Sequence, residues 1–197
     1  MRNLAEGVTR FQRDVHPVKA DLFAHLAENH TPHTLFIGCS DARVVPELIT
    51  ASEPGELFVV RTAGNLVPAY TPGPDAVAAG IEYAIAVLGV SDVVLCGHSG
   101  CGAMTALAET HDLRSVPTVA RWLQYADASS ARAATCGDVA ALVRQNVLAQ
   151  LANLVTHPSV ARALAEGTLT LHGWVYDIAT GDIETLRTGT QIAASAA

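Results

Sequence analysis

Short runs of apolar residues alternate along the chain with stretches whose apolar positions recur at helical spacing. The runs at residues 34–38, 56–61 and 91–97 are dense in branched apolar side chains, which is typical of strands buried on both faces. Residues 75–89, between the second and third runs, carry an apolar face behind Asp75, an aspartate placed to cap a helix. Strand, helix and strand in this order predict a parallel sheet covered by helices.

The flanking parts of the chain predict helices before the sheet and a hairpin after it. Apolar residues at helical spacing before residue 30 predict a helical arm that Pro17 interrupts. Asp138 is placed to cap a long helix and Pro158 to start a short one. Residues 169–178 and 183–186 flank a Thr-Gly-Asp turn, which predicts a closing hairpin.

These elements together predict an α/β fold. Its centre is a mostly parallel β-sheet flanked by helices, with an N-terminal helical arm and a C-terminal antiparallel hairpin. We expect the 197 residues to form one domain, with the arm at residues 1–30 and the core at residues 31–190.

The composition is that of an ordinary globular domain and excludes several classes of function. Half of the residues are hydrophobic and 16% are charged, so a large core is possible. The net charge of −7 repels nucleic acid and anionic membranes, and no apolar run is long enough to span a bilayer. Four cysteines are too few for a disulfide scaffold, and the N-terminus lacks the apolar segment of a secretory signal. We therefore expect a cytoplasmic protein with reduced thiols and no nucleic-acid or membrane partner.

Two of the predicted strands run directly into side chains that bind metals. The first strand leads into Cys39, and the third leads into His98 and Cys101. Because ligands gather at the carboxyl ends of parallel strands, these side chains converge if the two strands are neighbours. Two thiolates and one imidazole suit Zn²⁺, and three protein ligands leave a fourth position open for catalysis. Cys96, which precedes this group, is interpreted as a packed core thiol.

Asp41 and Arg43 lie close enough to Cys39 to complete this site. Their spacing allows a charge-assisted pair, which keeps the aspartate ionised and in one orientation. Asp41 can then accept a hydrogen bond from a zinc-bound water, or it can take the open position on the metal itself. The residues leave both alternatives open. Gly102 and the neighbouring glycines let the backbone pass close to the metal.

The same residues carry a resemblance to the β-class carbonic anhydrases. The segments C-S-D-A-R-V from residue 39, P-G-E-L-F-V-V-R-T-A-G-N from residue 54, G-H-S-G-C-G from residue 97 and H-G-W-V-Y-D from residue 172 follow that family's pattern in order and spacing. The resemblance implies a lyase that hydrates carbon dioxide reversibly to bicarbonate and a proton by zinc-bound hydroxide. It also implies a homodimer or a dimer of dimers with one Zn²⁺ per subunit. Its ligands would be Cys39, His98 and Cys101, and its catalytic dyad would be Asp41 with Arg43.

The resemblance further implies a substrate pocket where two subunits meet. Phe58 and Tyr83 match its aromatic positions, and Gly102 lies beside the ligand Cys101. His30 stands where many members of the family carry a glutamine that hydrogen-bonds the substrate. We expect these four residues to bind carbon dioxide and bicarbonate.

Part of the family holds bicarbonate at a second site made by a tryptophan, an arginine and a tyrosine. Arg61 and Tyr176 match the last two, but Phe36 occupies the tryptophan position and lacks an indole N–H donor. We therefore expect Arg61 to have a structural pairing role. Two alternatives on the same zinc site are a hydrolase of carbonyl sulfide or carbon disulfide, and a non-catalytic, bicarbonate-responsive zinc protein in which Asp41 caps the metal permanently.

Overall fold

The computed structural model describes residues 3–133 and 138–186. The chain divides into two compact units, Met1–Thr31 and Pro32–Ala197. The first unit contains α1 (Leu4–Arg10), a π-helical turn (Phe11–Val15), a 3-10 turn (Pro17–Lys19) and α2 (Ala20–Glu28). The regular helix is interrupted around Pro17, as predicted, because proline has no backbone N–H to continue the hydrogen-bond ladder.

The second unit is built on a sheet to which the described residues contribute five strands. These are β1 (Thr34–Cys39), β2 (Leu57–Thr62), β3 (Asp92–His98), β4 (Thr170–Tyr176) and β5 (Ile183–Leu186). Their order is β2-β1-β3-β4-β5, with the first four parallel and β5 antiparallel to β4. The predicted α/β fold with its closing hairpin is confirmed. The first and third predicted strands are neighbours, as the metal-site hypothesis requires.

The helices of the second unit follow the sequence pattern only in part. They are α3 (Pro46–Ile49), α4 (Ala76–Glu82), α5 (Gly102–Ala108), α6 (Pro117–Leu123), α7 (Asp127–Ala133), α8 (Val139–Val155) and α9 (Pro158–Ala165). Asp75 and Asp138 cap α4 and α8 as predicted, each accepting from a backbone N–H of the first turn. The helix predicted over residues 75–89 is only partly regular, because a π-helical turn (Tyr83–Val87) follows α4. Helices α3, α5 and α7 were not predicted.

Strands β1 and β3 pack on both faces, which explains their nearly continuous apolar sequence. Leu35 and Ile37 of β1 belong to the larger core cluster, which α4, α8 and α9 complete. Phe36, between them, packs on the opposite face with Val94 and Cys96 of β3. None of the helices in the described part of the chain is long and apolar enough to cross a membrane.

Helix α8 lies very close to the sheet because two glycines face it. A Cβ on Gly97 would lie 2.8 Å from Cγ2 of Val147, and one on Gly173 would lie 2.8 Å from Cδ1 of Leu151. Side chains at these positions would collide with the helix, and overpacking of this kind destabilises a core. The close contact fixes the end of β3, next to His98, against a long and well-packed helix.

Candidate metal centre

Three potential metal ligands converge at the carboxyl edge of the sheet. Cys39 ends β1, His98 ends the neighbouring β3, and Cys101 immediately precedes α5. Their ligand atoms lie within 4.8 Å of one another, and all three residues are buried. The structure thus brings together the three ligands that the sequence predicts.

His98 carries a buried nitrogen that fits a metal ligand. Its Nδ1 lies 3.0 Å from the carbonyl oxygen of Ser99, which can only accept, so Nδ1 is the donor, and in the neutral imidazole that binds metals Nε2 then keeps its lone pair. Nε2 is buried and has no hydrogen-bond partner in the structure. An unpaired buried polar atom is costly, and metal-binding histidines commonly donate through their other nitrogen to a carbonyl. The residues present therefore fit a zinc ion.

The Cys39 and Cys101 sulfurs are close enough to affect each other's ionisation. A hydrogen bond from the Cys101 thiol to the Cys39 sulfur is the main cause that lowers the pKa of Cys39 below that of a free thiol. The same bond, together with burial, raises the pKa of Cys101. Two buried thiolates repel each other, so the pair retains one proton unless a divalent cation replaces it. A thiol pair of this kind suits an ion with two positive charges.

Cys96 lies near the site without belonging to it. Burial raises the pKa of Cys96 to about 12, and its Sγ lies 3.3 Å from the carbonyl oxygen of Gly97. The side chain packs with Phe36 and Val94 on the other face of the sheet. The structure confirms the predicted core thiol. Cys136, the fourth cysteine, lies outside the described residues.

Arg43 holds Asp41 beside the ligands. Arg43 Nε and Nη2 donate to Oδ1 and Oδ2 of Asp41 at 2.9 and 2.7 Å, and the Arg43 backbone N–H donates to Oδ1 at 2.9 Å. Arg43 Nη2 also donates to the carbonyl oxygen of Gly100 at 3.1 Å, which links the dyad to the loop before Cys101. Asp41 Oδ2 lies 3.9 Å from His98 Nε2. The hydrogen bonds from Arg43 are the main reason that the pKa of Asp41 lies well below its usual range.

A second arginine, Arg61 on β2, clamps the turn that carries Asp41. Its Nε donates to the carbonyl oxygen of Cys39 at 3.0 Å, and its Nη2 donates to those of Asp41 and Val44 at 2.6 and 2.8 Å. The structural role predicted for Arg61 is confirmed. Phe36, at the tryptophan position of the bicarbonate site found in part of the family, is fully buried.

Replacing Arg61 with alanine is expected to lower the free energy of unfolding by about 2 kcal/mol, because three carbonyl groups lose a charged donor. Lysine should recover only part of this, since one ammonium group does not reproduce the guanidinium fork. Urea unfolding of both variants measures the effect. Arg114→Ala is the control, because Arg114 pairs with Asp112 at the surface and should cost at most about 1 kcal/mol. An equal loss in the free energy of unfolding for Arg61→Ala and Arg114→Ala would show that the hydrogen bonds from Arg61 do not stabilise the turn that carries Asp41.

The four residues predicted to bind substrate lie on different elements of the structure. Phe58 on β2 and Tyr83 after α4 face each other with ring centroids 5.9 Å apart, and Tyr83 is 44% exposed. Gly102 begins α5, with open space where a Cβ would lie. His30 follows α2 in the first unit, and its contact with substrate remains a prediction.

Side chains from several elements hold residues 63–68, the segment that follows β2, and the sequence pattern did not predict this role for them. Most of this segment is buried, and side chains donate to five of its carbonyl oxygens: Trp122 to Ala63, Asn146 to Gly64, Thr62 to Leu66, Asn153 to Val67 and His157 to Pro68. A buried loop requires such partners. The sequence did carry a signal, because Asn146, Gln150 and Asn153 recur at helical spacing in a mostly apolar helix.

Known proteins are similar to this chain over most of its length. Residues 34–183 match the family described as Carbonic anhydrase. The chain is 56% identical over 192 residues to the Carbonic anhydrase of Pseudomonas aeruginosa, which covers 94% of this chain and 87% of that protein. It is 52% identical over 189 residues to Carbonic anhydrase 1 of Escherichia coli O157:H7, which covers 93% of this chain and 86% of that protein.

Solved structures share its fold. The β-carbonic anhydrase CcaA superposes with a TM-score of 0.88 and 36% identity over 94% of this chain and 90% of that chain. A β-carbonic anhydrase of the ascomycete Sordaria macrospora, described as tetrameric, superposes with a TM-score of 0.78 and 32% identity over 94% of this chain and 93% of that chain.

Proposed function

Because the chain belongs to the β-class carbonic anhydrase family, we propose that it hydrates carbon dioxide reversibly to bicarbonate and a proton, with one zinc ion held by Cys39, His98 and Cys101. The convergence of two buried sulfurs and an unpartnered imidazole nitrogen within 4.8 Å carries this proposal. The family is one of lyases named carbonic anhydrase, so the chain is an enzyme of that class. When bound, zinc supplies Lewis acidity that makes hydroxide available from water near neutral pH.

Asp41 would orient the reacting water. Arg43 keeps the pKa of Asp41 low, so the carboxylate is an acceptor at every pH near neutrality. A fixed acceptor beside His98 can take an O–H hydrogen bond and so direct the oxygen lone pair towards carbon dioxide. Both carboxylate oxygens are already bound by Arg43. This pairing supports an open site, in which Asp41 orients water, over a closed one in which Asp41 caps the metal.

Carbon dioxide is small and uncharged, so it needs apolar space more than a charged partner. We propose that Phe58, Tyr83, Gly102 and His30 form the substrate pocket and that the enzyme is a homodimer or a dimer of dimers. The tetrameric Sordaria macrospora relative supports an oligomer. Sedimentation at micromolar concentration that detects monomer alone would contradict it. The thiolate ligands need reducing surroundings, so we place the enzyme in the cytoplasm, which cell fractionation would test.

The test combines zinc analysis with two assays on the same purified protein. We expect one zinc per subunit and carbon dioxide hydration well above the buffer rate in stopped-flow measurements across pH 6.5 to 9. Full zinc occupancy with no rate above buffer would refute the catalytic proposal and favour the non-catalytic zinc protein. Release of sulfide from carbonyl sulfide that is faster than carbon dioxide hydration would favour the hydrolase. Chelator-treated protein provides the metal-free control.

A further inference from the structure

Ser99 and Gly100 form the loop between the ligand that ends β3 and the ligand that precedes α5, and other parts of the fold hold this loop on both sides. The Ser99 backbone N–H donates to the carbonyl oxygen of Tyr176, the last residue of β4, at 2.9 Å. The carbonyl oxygen of Gly100 accepts from Arg43 Nη2 at 3.1 Å. The peptide groups before Ser99 and after Gly100 are therefore fixed, because a peptide group is planar and turns only at its neighbouring Cα atoms.

The side chain of Ser99 adds a third hydrogen bond to the same part of the fold. Its Oγ accepts from the backbone N–H of Ile178 at 2.9 Å. Ile178 lies just beyond the end of β4, so the backbone and the side chain of Ser99 are both bound to residues 176–178. This segment follows from the H-G-W-V-Y-D sequence that begins at residue 172, which contains none of the three metal ligands. Its end thus supports the loop between two of them.

The peptide group between Ser99 and Gly100 carries the carbonyl that His98 contacts. Nδ1 of His98 donates to the Ser99 carbonyl oxygen at 3.0 Å, and the imidazole is fully buried. Gly100 has a φ of +61°, in the left-handed region that favours glycine, which lets the chain turn sharply between its two supports. The carbonyl is therefore held in place from both sides, although its only recorded partner is the imidazole.

We propose that Ser99 is a positioning residue for His98: bound to the end of β4 through its hydroxyl and its N–H, it keeps its carbonyl oxygen against Nδ1 of the imidazole. A ring held in this way presents Nε2 in one direction, and Nε2 is the unpartnered nitrogen that lies 3.9 Å from Oδ2 of Asp41. A hydrogen bond from the other nitrogen of a ligating histidine fixes its tautomer and its orientation, and so strengthens metal binding. This inference rests on the proposed zinc site.

The test removes the Ser99 hydroxyl and follows both the metal and the imidazole. We expect Ser99→Ala to weaken zinc binding about 10-fold in chelator competition. We also expect it to speed the exchange of the His98 Nδ1 proton with solvent, measured by NMR on the zinc-loaded protein with isotope-labelled histidine. Ser99→Thr keeps the hydroxyl and should restore both properties. Thr180→Val is the matched control, because it removes a hydroxyl that accepts the backbone N–H of Asp182 at 3.2 Å in the turn after β4, and both properties should stay those of the wild type.

The outcomes separate this inference from the proposed function. Unchanged zinc affinity and unchanged proton exchange in Ser99→Ala would overturn the inference, as would equal changes in Thr180→Val. If Ser99→Ala does not fold, the zinc-loaded wild type decides: slow exchange of the His98 Nδ1 proton would support the inference, and exchange as fast as that of exposed histidines would overturn it. Wild-type protein that binds no zinc would overturn both proposals. Wild-type protein that binds zinc and hydrates carbon dioxide, with Ser99→Ala unaffected, would overturn the positioning role alone.

Discussion

Replacing Cys101 with alanine should remove tight zinc binding and reduce carbon dioxide hydration to the buffer rate. The substitution leaves only two of the three converging ligands, Cys39 and His98. If the ligands share equally the roughly 10–16 kcal/mol of a tight zinc site, the loss of one weakens binding on the order of 10³-fold. Zinc content after dialysis and stopped-flow hydration measure the two effects on the same sample.

Cys96→Ala is the matched control for Cys101→Ala, because both remove a buried thiol near the end of β3. Cys96 packs on the other face of the sheet, so its loss should cost some stability while zinc content and rate remain those of the wild type. Equal zinc loss in the two variants would mean that Cys101 acts through the fold and is not a ligand. Acidification should release zinc from the wild type, because protons compete with the metal for the two sulfurs and the imidazole.

The strands that carry the ligands could be predicted because burial on both faces leaves a dense apolar pattern. The last residues of these strands were predicted less accurately. The predicted strands stop at residues 38 and 97, whereas Cys39 and His98 are the last residues of β1 and β3. A polar residue at the last position of a strand resembles the start of a loop when only the sequence is considered. Because these residues still belong to the hydrogen-bonded strand, their backbone is held more rigidly than that of a loop.

Helix α5 is another element that the pattern did not reveal. It is 7 residues long, and Cys101 at its N-cap makes no side-chain capping bond. Short helices lack both the repeats of an amphipathic face and, here, the usual capping signal.

The ligands of the site were predictable from residue type, whereas their supports were not. Arg61 and Asn146 act on backbone carbonyls 17 to 82 residues away in the sequence. A carbonyl is present at every residue, so the sequence gives no sign of which one a side chain will reach. Only the position of Asn146 on the buried face of α8 hinted at such a role.

Replacing Asp41 with asparagine should lower the rate of carbon dioxide hydration about 100-fold without changing zinc content, in the range expected for a group that handles a proton in the transition state. Asparagine keeps the size of the side chain but offers one acceptor oxygen and no charge to Arg43. Stopped-flow rates across pH 6.5 to 9, with zinc measured on the same samples, test this. A wild-type rate in the variant would show that Asp41 does not orient the reacting water.

The pH profile also separates an open site from a closed one. Because Arg43 lowers the pKa of Asp41, the carboxylate stays ionised throughout pH 6.5 to 9, and the stability it contributes is lost only in strong acid, as pH falls through the lowered value. Any fall in rate towards pH 6.5 must therefore come from another group, so Asp41→Asn should lower the whole profile without moving its midpoint.

Replacing Arg43 with alanine frees the Asp41 carboxylate from its hydrogen bonds and allows it to reach the metal. We expect this variant to lose activity chiefly near neutral pH. Wild-type activity confined to alkaline pH would mean that Asp41 caps the metal even with Arg43 in place, and would contradict the open site.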